Sequence, residues 1–308
     1  MLRNKYRPKS LKTFIGNENV ISSLEKVINT VQVFLFHGPR GTGKTTLARI
    51  IARQNKVDFE FDLYEMNCAN KTGVEDARNL EEMAFSLPSF GDKKAFILDE
   101  AHRLTGNAQD SLLKVLEEPP SHTIFILCTT NPQKIISTIR GDSRTFDYGL
   151  KPLKADEIKR LLKRVIKKEA IEISPKVMKA IIKNCQGIPR TSLVMLEKVI
   201  DISPNKAIKL LQKDSEEDTN LFELSMSLIN GESWKVIKQY LSDLPDDIER
   251  ARKSIFGIIG AIADKSYDNK QKDLHYLQGA FEDNLYDNGL SGLKRQIREA
   301  YLIRKNVI

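Results

Sequence analysis

Hydrophobic and polar positions follow two alternating patterns along the first half of the chain. Short runs rich in β-branched and aromatic residues, typical of buried strands, are separated by longer segments with the spacing of amphipathic helices. An alternation of strands and helices predicts an α/β fold with a parallel sheet. The predicted strands cover residues 31–36, 59–65, 94–98 and 123–128, and two of the predicted helices cover 46–53 and 74–85.

The pattern changes after residue 153, because no later segment resembles a strand. Ser174-Pro175 and Ser203-Pro204 are typical helix starts, with serine as the cap and proline in the first turn. A polar stretch at 213–218 predicts a linker, and four or five further helices are expected after it. The predicted helices before this linker cover residues 156–169, 174–185, 190–200 and 205–212.

These patterns divide the chain into three predicted domains. We expect an α/β domain over residues 1–152, a small helical domain over 153–213 and an all-helical domain over 214–308. The net charge also differs between these regions. The net charge is +8 over the whole chain, with +2 in residues 1–150, +10 in 151–213 and −4 in 214–308.

Composition is that of an ordinary soluble protein, with 41% hydrophobic and 29% charged residues among 308. The three cysteines, Cys68, Cys128 and Cys185, are far apart and form no C-x-x-C pair, which argues against a disulfide framework or a zinc site and favours a reducing compartment. The N-terminus predicts no signal peptide. The longest apolar run, residues 255–263, is too short to cross a membrane. We therefore expect a cytoplasmic or nuclear protein without a membrane partner.

The first chemical signature matches the phosphate-binding pattern G-x-x-x-x-G-K-[ST]. A strand-like segment precedes it and a helix-like segment follows, which is the context that such a loop requires. Its backbone N–H groups and the helix N-terminus would hold phosphates, Lys44 would reach the β- and γ-phosphates, and the Thr45 hydroxyl would ligate Mg²⁺. The predicted nucleotide-binding residues here are Gly38, Pro39, Arg40, Gly41, Thr42, Gly43, Lys44, Thr45 and Thr46.

The second signature is an apolar strand that ends in Asp99 and Glu100. Asp99 is predicted to hold Mg²⁺, and Glu100 to orient and polarise the attacking water. The alternative is that both carboxylates cap the following helix. The tetrapeptide Asp99-Glu100-Ala101-His102 also spells the name of a helicase class, but no arginine-rich helicase motif or second α/β domain accompanies it.

Further motifs occur in a fixed order along the first 150 residues, together with the two signatures above. They are Lys5-Tyr6-Arg7-Pro8, Phe14-Ile15-Gly16, the phosphate-binding loop, the segment 67–74, Asp99-Glu100-Ala101-His102, the segment 112–120, Thr129-Thr130-Asn131-Pro132 and Ser143-Arg144. This order is the one found in AAA+ clamp-loader ATPase subunits, and the chain resembles this family over residues 2–200. The resemblance implies a P-loop AAA+ domain, a helical lid and an all-α collar. It also implies hydrolysis of ATP with Mg²⁺ as cofactor.

The resemblance also implies roles for residues outside the two signatures. Tyr6, Arg7, Ile15 and Gly16 would pack around the adenine. Thr130 would be sensor 1, with Asn131 as the alternative, and Arg190 would be sensor 2 at a helix start in the lid. Arg144 would be the arginine finger that completes a neighbour's site, with Arg140 as the alternative.

The same resemblance implies partners. They are a sliding clamp, primer-template DNA, the other subunits of a homo- or heteropentameric ring and, indirectly, a DNA polymerase. Lys71 and Thr72, before an apparent helix, would bind a DNA phosphate. Because the zinc cysteines of bacterial tau/gamma-type subunits are absent, we expect closer kinship with phage, archaeal or eukaryotic small subunits. The alternatives are a nucleotide-binding stator without turnover, and another DNA-remodelling motor for branch migration or helicase loading.

Overall fold

A computed structural model describes residues 1–68, 73–141, 144–245, 247–264, 266, 268–283, 285 and 289–305, without the side chains at 212–218, 268 and 270. The chain divides into two compact units, Met1–Pro204 and Asn205–Ile308. The predicted DNA contacts Lys71 and Thr72 lie outside the described residues, as does Ser143 of the Ser-Arg motif.

A five-stranded parallel sheet forms the centre of the first unit, which confirms the predicted α/β fold. The strands are β1 Val33–His37, β2 Leu63–Asn67, β3 Lys94–Asp99, β4 Thr123–Thr129 and β5 Thr145–Gly149. Their order across the sheet is β2-β3-β4-β1-β5. Because all the strands are parallel, their carboxyl ends lie at one edge of the sheet.

Two of these strands differ from the sequence prediction. The strand predicted at 59–65 begins only at Leu63, because the Asp58 carboxylate accepts the N–H groups of Glu60 and Phe61 and forms a turn there. Strand β5 was not predicted. It is a short edge strand whose inward residues Phe146 and Tyr148 are only partly buried, so its apolar signal is weak.

Helices cover both faces of the sheet. Side chains of successive strand residues point to opposite faces. Val33 and Leu35 therefore pack with residues of the helices at 74–85 and 106–117, whereas Phe34 and Phe36 pack with residues of the helices at 18–27 and 44–54. The helices of this unit are α1 Leu2–Lys5, α2 Glu18–Val27, α3 Lys44–Gln54, α4 Val74–Phe85, α5 Gly106–Glu117, α6 Ser137–Gly141, α7 Ala155–Glu169, α8 Pro175–Asn184 and α9 Pro189–Val199. Short 3₁₀ helices occur at Leu11–Thr13, Ala101–Arg103 and Pro132–Lys134.

The first three helices predicted after residue 153 are present as α7, α8 and α9, with boundaries that shift by one residue. Ser174 caps α8 as predicted, since its hydroxyl accepts the N–H of Val177 at 3.3 Å. Helix α7 buries Ile158, Leu161, Leu162 and Val165 on one face, so its lysines and arginines occupy the other.

The second unit contains helices and no strand among its described residues. Its core includes Leu224, Leu228, Ile255, Ile259 and Phe281. The helices that supply this core are α10 Pro204–Asn230, α11 Trp234–Tyr240, α12 Ile248–Ala263, α13 Asp268–Gly279 and α14 Gly289–Arg304. None of the described helices is long and apolar enough to cross a membrane.

The predicted linker at 213–218 is wrong. Helix α10 begins at Pro204 as expected but continues for 27 residues through this stretch. The stretch is polar but contains no glycine or proline, and its lysine and glutamates are good helix formers. Polarity alone therefore does not end a helix here.

One buried carboxylate fixes the segment between α4 and β3. Asp62 has no exposed surface and accepts the N–H groups of Ser89, Phe90 and Gly91 at 2.5, 2.8 and 2.6 Å. Burial alone would raise the pKa of Asp62, but these three donors outweigh it and the pKa lies below its ordinary value. The stabilisation is complete above the ordinary aspartate pKa of about 4 and is lost as the pH falls through the lower folded-state value.

We predict that Asp62→Asn lowers the free energy of unfolding by about 1–3 kcal/mol at pH 7, because the amide leaves buried N–H donors without an anionic acceptor. Urea unfolding followed by circular dichroism measures this change. The difference in the free energy of unfolding between this variant and wild type should narrow as the pH falls below about 4, because Asp62 itself then becomes protonated.

Asp92→Asn is the matched control, because Asp92 is 66% exposed and pairs with Lys56 at the surface. Its effect should stay within about 0.5 kcal/mol. Equal effects of the two substitutions at pH 7 would contradict the role assigned to Asp62.

Candidate nucleotide-binding site

The loop between β1 and α3 has the backbone shape that its glycines permit. Gly38 has φ +136°, and a Cβ there would lie 2.2 Å from the carbonyl oxygen of Leu150. Gly43 has φ +114°, and its Cβ would lie 2.8 Å from the ring of Phe14. Side chains at these positions would be strained and would collide with their neighbours. The loop ends at the N-terminus of the 11-residue helix α3, which carries partial positive charge.

Lys44, the first residue of α3, is folded onto this loop. Its Nζ donates to the carbonyl oxygens of Gly38 at 2.8 Å and Pro39 at 3.1 Å, and the residue is only 6% exposed. Burial lowers the pKa of Lys44, whereas Glu100 and Asp99 act in the opposite direction. A partly desolvated ammonium group is thus held beside the loop N–H groups, where it can interact strongly with an anion.

Thr45 and Asp99 connect helix α3 to the end of strand β3. The Thr45 hydroxyl donates to Asp99 Oδ2 at 3.1 Å. Both groups offer oxygen ligands, which Mg²⁺ prefers, and Mg²⁺ in phosphate sites takes most of its other ligands from water and phosphate. Within the described residues, no three histidine, cysteine or acidic side chains converge on a metal site. Two protein oxygens therefore fit a magnesium–nucleotide complex better than a metal site made by protein alone.

Glu100 follows in an unusual backbone conformation. Its φ of 54° and ψ of 43° place it in the left-handed region, which is uncommon for a residue other than glycine and occurs often at functional sites. Its Oε2 accepts the Thr130 hydroxyl at 3.1 Å. Asn131 instead donates its backbone N–H to the hydroxyl of Thr129 at 3.0 Å. Of the two candidates for sensor 1, Thr130 is the one whose side chain contacts Glu100.

A cavity of about 480 Å³ opens in front of these groups. This volume is in the range of small-molecule sites. The loop, the sheet edge, the N-terminal segment and the helices α7 and α9 all contribute to its wall. Lining residues include Arg40, Gly41, Thr42, Gly43, Lys44, Thr45, Thr46, Asp99, Glu100, Tyr6, Arg7, Ile15 and Arg190.

Positive charge surrounds the cavity. Arg190 enters it from the first turn of α9. Burial lowers the pKa of Arg7, and the nearby cations Arg49 and Arg190 lower it further, while Glu65 and Asp99 oppose this. Several cations are therefore close enough to repel one another, and a bound polyphosphate would relieve that repulsion.

The N-terminal segment reaches the cavity between the sheet and the lid helices. Tyr6 and Ile15 line it, and the Tyr6 hydroxyl donates to Glu169 at the end of α7. Gly16 does not line the cavity. It has φ +77°, and a Cβ there would lie 2.2 Å from the Leu153 side chain, so its position beside the lid requires glycine. Gly38 and Pro39 also do not line the cavity, but their carbonyl groups hold Lys44.

The two arginine-finger candidates are not among the residues that line the cavity. Arg144 is exposed and donates to the carbonyl oxygen of Glu117 at the end of α5. Arg140, in α6, lies 3.6 Å from the Asp147 carboxylate in β5. Neither arginine reaches the site of its own chain in this arrangement.

Asn67 and His102 belong to the site, although no role is predicted for either from the sequence. Asn67 lines the cavity and is paired with Asp99 in the β2–β3 register. Its place at the carboxyl end of a parallel strand was the available signal. His102 Nδ1 lies 2.9 Å from Thr129 Oγ1 and 3.5 Å from Glu100 Oε2. No local pattern marks this contact, since it depends on β3 and β4 being neighbours.

The site combines a phosphate-binding loop after one strand with two carboxylates at the end of another strand of the same parallel sheet. This combination defines a P-loop nucleotide-binding protein. Solved structures share this fold. A mutant RuvB of Thermotoga maritima is 25% identical, with a TM-score of 0.54 over 68% of this chain and 73% of that chain. Another RuvB of the same organism, described as a Holliday junction branch migration motor, is 24% identical, with a TM-score of 0.57 over 73% and 79%.

The chain belongs to the DNA polymerase III gamma/tau family of AAA+ clamp-loader subunits. DNA polymerase III subunit gamma of Buchnera aphidicola is 32% identical over an alignment of 292 residues, and the match covers 85% of this chain and 78% of that protein. The gamma/tau subunit of Mycobacterium tuberculosis is 34% identical over an alignment of 224 residues, and the match covers 65% of this chain. This match spans only 38% of the longer mycobacterial protein. A family model described as DNA polymerase III, delta subunit, matches residues 56–154.

The predicted resemblance to AAA+ clamp-loader subunits is confirmed, but the expected kinship within that class is wrong. The absent zinc cysteines pointed away from bacterial tau/gamma-type subunits, whereas the Buchnera and Mycobacterium relatives are bacterial gamma and gamma/tau subunits. A metal site is a local feature, whereas the 34% identity extends over 65% of this chain. The longer similarity therefore carries more weight than the missing cysteines.

Proposed function

We propose that this chain is an ATP-hydrolysing clamp-loader subunit that helps to open a sliding clamp and place it on primer-template DNA. One observation carries the proposal. Thr45, Asp99, Glu100 and Thr130, which come from three separate segments, form one hydrogen-bonded group at the edge of the sheet. Lys44, next to Thr45 in the chain, is held against the phosphate-binding loop by the Gly38 carbonyl oxygen. A protein that only kept the fold would have no use for a polar group of this kind beside an open cavity.

In the proposed reaction, the loop N–H groups and Lys44 bind the β- and γ-phosphates of ATP. Thr45 and Asp99 would hold Mg²⁺, which supplies charge neutralisation on the phosphate oxygens. Glu100 orients the attacking water and accepts its proton, and Thr130 holds the Glu100 carboxylate in place. Arg190 approaches the γ-phosphate from the lid and couples the lid to the nucleotide.

The assembly is part of the proposal. We infer that residues 1–152 act as the ATPase domain, 153–213 as the lid and 214–308 as the collar that joins subunits in a pentameric ring. Arg144 would then complete the site of the neighbouring subunit. Lys71 and Thr72 would bind the DNA backbone, and a DNA polymerase would use the loaded clamp.

The steady-state ATPase rate tests this function. We expect the purified chain to hydrolyse ATP slowly alone, and strongly only with primed DNA, the cognate sliding clamp and the partner subunits present, because Arg144 reaches no site in its own chain. A rate that responds to DNA but not to the clamp would favour another DNA-remodelling motor. No hydrolysis under any of these conditions would make the chain a stator.

We predict that Glu100→Gln retains nucleotide binding but lowers turnover by about 10²- to 10⁴-fold, because the amide cannot accept the proton of water.

Lys44→Ala should instead weaken nucleotide affinity by at least about tenfold, or ~1.4 kcal/mol, because it removes the ammonium group proposed to bind the β- and γ-phosphates. Titration with a fluorescent nucleotide measures affinity and steady-state kinetics measures turnover, so the two effects can be distinguished. Normal turnover by Glu100→Gln would assign the water-activating role to another residue.

For the arginine finger, we predict that Arg144→Ala lowers the ATPase rate of the assembled ring by about 10³-fold or more, without changing nucleotide affinity of the isolated chain. Arg140→Ala is the matched comparison, because Arg140 belongs to the same segment but contacts Asp147. Rates in reconstituted rings decide between them. A wild-type rate for Arg144→Ala with a large loss for Arg140→Ala would reverse the assignment.

A further inference from the structure

His102 lies behind the proposed catalytic carboxylate rather than in the cavity wall. It is the middle residue of the 3₁₀ helix Ala101–Arg103, and its side chain is 9% exposed. Its Nδ1 lies 2.9 Å from the hydroxyl of Thr129 and 3.5 Å from Glu100 Oε2. One imidazole nitrogen is thus placed between the last residue of β4 and the carboxylate that follows β3.

The surrounding groups indicate where the imidazole proton lies. A lone pair on Nδ1 would face the negative Oε2 of Glu100, whereas an N–H on Nδ1 is attracted to both that oxygen and the Thr129 hydroxyl. The Thr129 oxygen already accepts the N–H of Asn131 and has a second lone pair available. The arrangement therefore favours the tautomer with the proton on Nδ1.

We infer that His102 is a positioning residue that holds Glu100 Oε2 in the orientation needed to activate water. This inference rests on the proposed function of Glu100. The Glu100 side chain is 29% exposed and would otherwise retain considerable rotational freedom. Thr130 and His102 both act on Oε2, so Oε1 is left to accept the proton of the attacking water.

The hydroxyl of Thr129 gives His102 a second effect on the same carboxylate. It binds His102 Nδ1 and also accepts the backbone N–H of Asn131, which fixes the turn that carries Thr130. Both side chains that hold Oε2 are therefore tied to the end of β4. Loss of the imidazole would remove its contact with Glu100 Oε2 and would also remove the partner of the Thr129 hydroxyl, which supports the turn that carries Thr130.

The test compares three substitutions of His102 in the assembled loader with primed DNA and clamp. Asparagine can place its amide N–H where Nδ1 lies, glutamine carries its amide at the distance of Nε2, and leucine removes the donor while keeping similar volume. We expect His102→Leu and His102→Gln to lower kcat by about 10- to 100-fold with unchanged nucleotide Kd, because a misplaced catalytic group loses effective alignment. We expect His102→Asn to stay close to wild type.

Two control variants complete the experiment. His122→Leu removes a histidine at the opposite end of β4, where Nε2 contacts the carbonyl oxygen of Ser86, and should leave kcat unchanged. Glu100→Gln tests the premise, since wild-type turnover by that variant would overturn the proposed function itself. If Glu100→Gln is inactive but His102→Leu turns over normally, only the role of His102 is overturned. The role of His102 is also overturned if kcat in the three His102 variants falls in parallel with their melting temperatures and does not depend on whether an amide N–H replaces Nδ1.

Discussion

The hydrogen bond between Thr45 and Asp99 is the contact on which the rest of the site depends. The sheet order places β4 between β1, which leads into the loop, and β3, which carries Asp99. Neighbouring strands are about 4.8 Å apart, so the helix after β1 must lean across β4 for Thr45 to reach Asp99 at 3.1 Å. The pairing of β3 with β4 places Glu100 beside the end of β4, where Thr129 and Thr130 lead into the next turn. The positions of Lys44, Glu100 and Thr130 therefore follow from one parallel arrangement of three strands.

The electrostatics of the cavity complement this geometry. Lys44 and Arg7 both have pKa values lowered mainly by burial, and Arg190 contributes to each shift. Mutual repulsion among these half-buried cations destabilises the arrangement without ligand. An anion bound between them makes the net electrostatic interaction energy favourable. Because Arg190 belongs to α9 and Lys44 to α3, a polyphosphate that attracts both would draw lid and loop together.

The parts of this structure that depend on local sequence could be predicted. The glycines and Lys44 of the loop need only their neighbours in the chain, and the carboxylates at 99 and 100 follow a strongly apolar strand. The features that were missed depend on distant contacts. Strand β5 is recognisable only once it pairs with β1, and His102 gains its partner Thr129 only because β3 and β4 are adjacent. The error at 213–218 had another cause, since charged residues were interpreted as a linker although they also suit an exposed helix.

The same edge strand bears on the choice between Arg144 and Arg140. Thr145 is the first residue of β5 and pairs with Val33. A β-branched threonine suits a strand. Arg144 directly precedes that strand and is therefore anchored to the sheet while its side chain remains exposed. Arg140 faces Asp147, and its Nε is buried without a hydrogen-bond partner among the described residues. An arginine that must reach a neighbouring subunit needs a rigid base and an accessible guanidinium group, and these requirements favour Arg144.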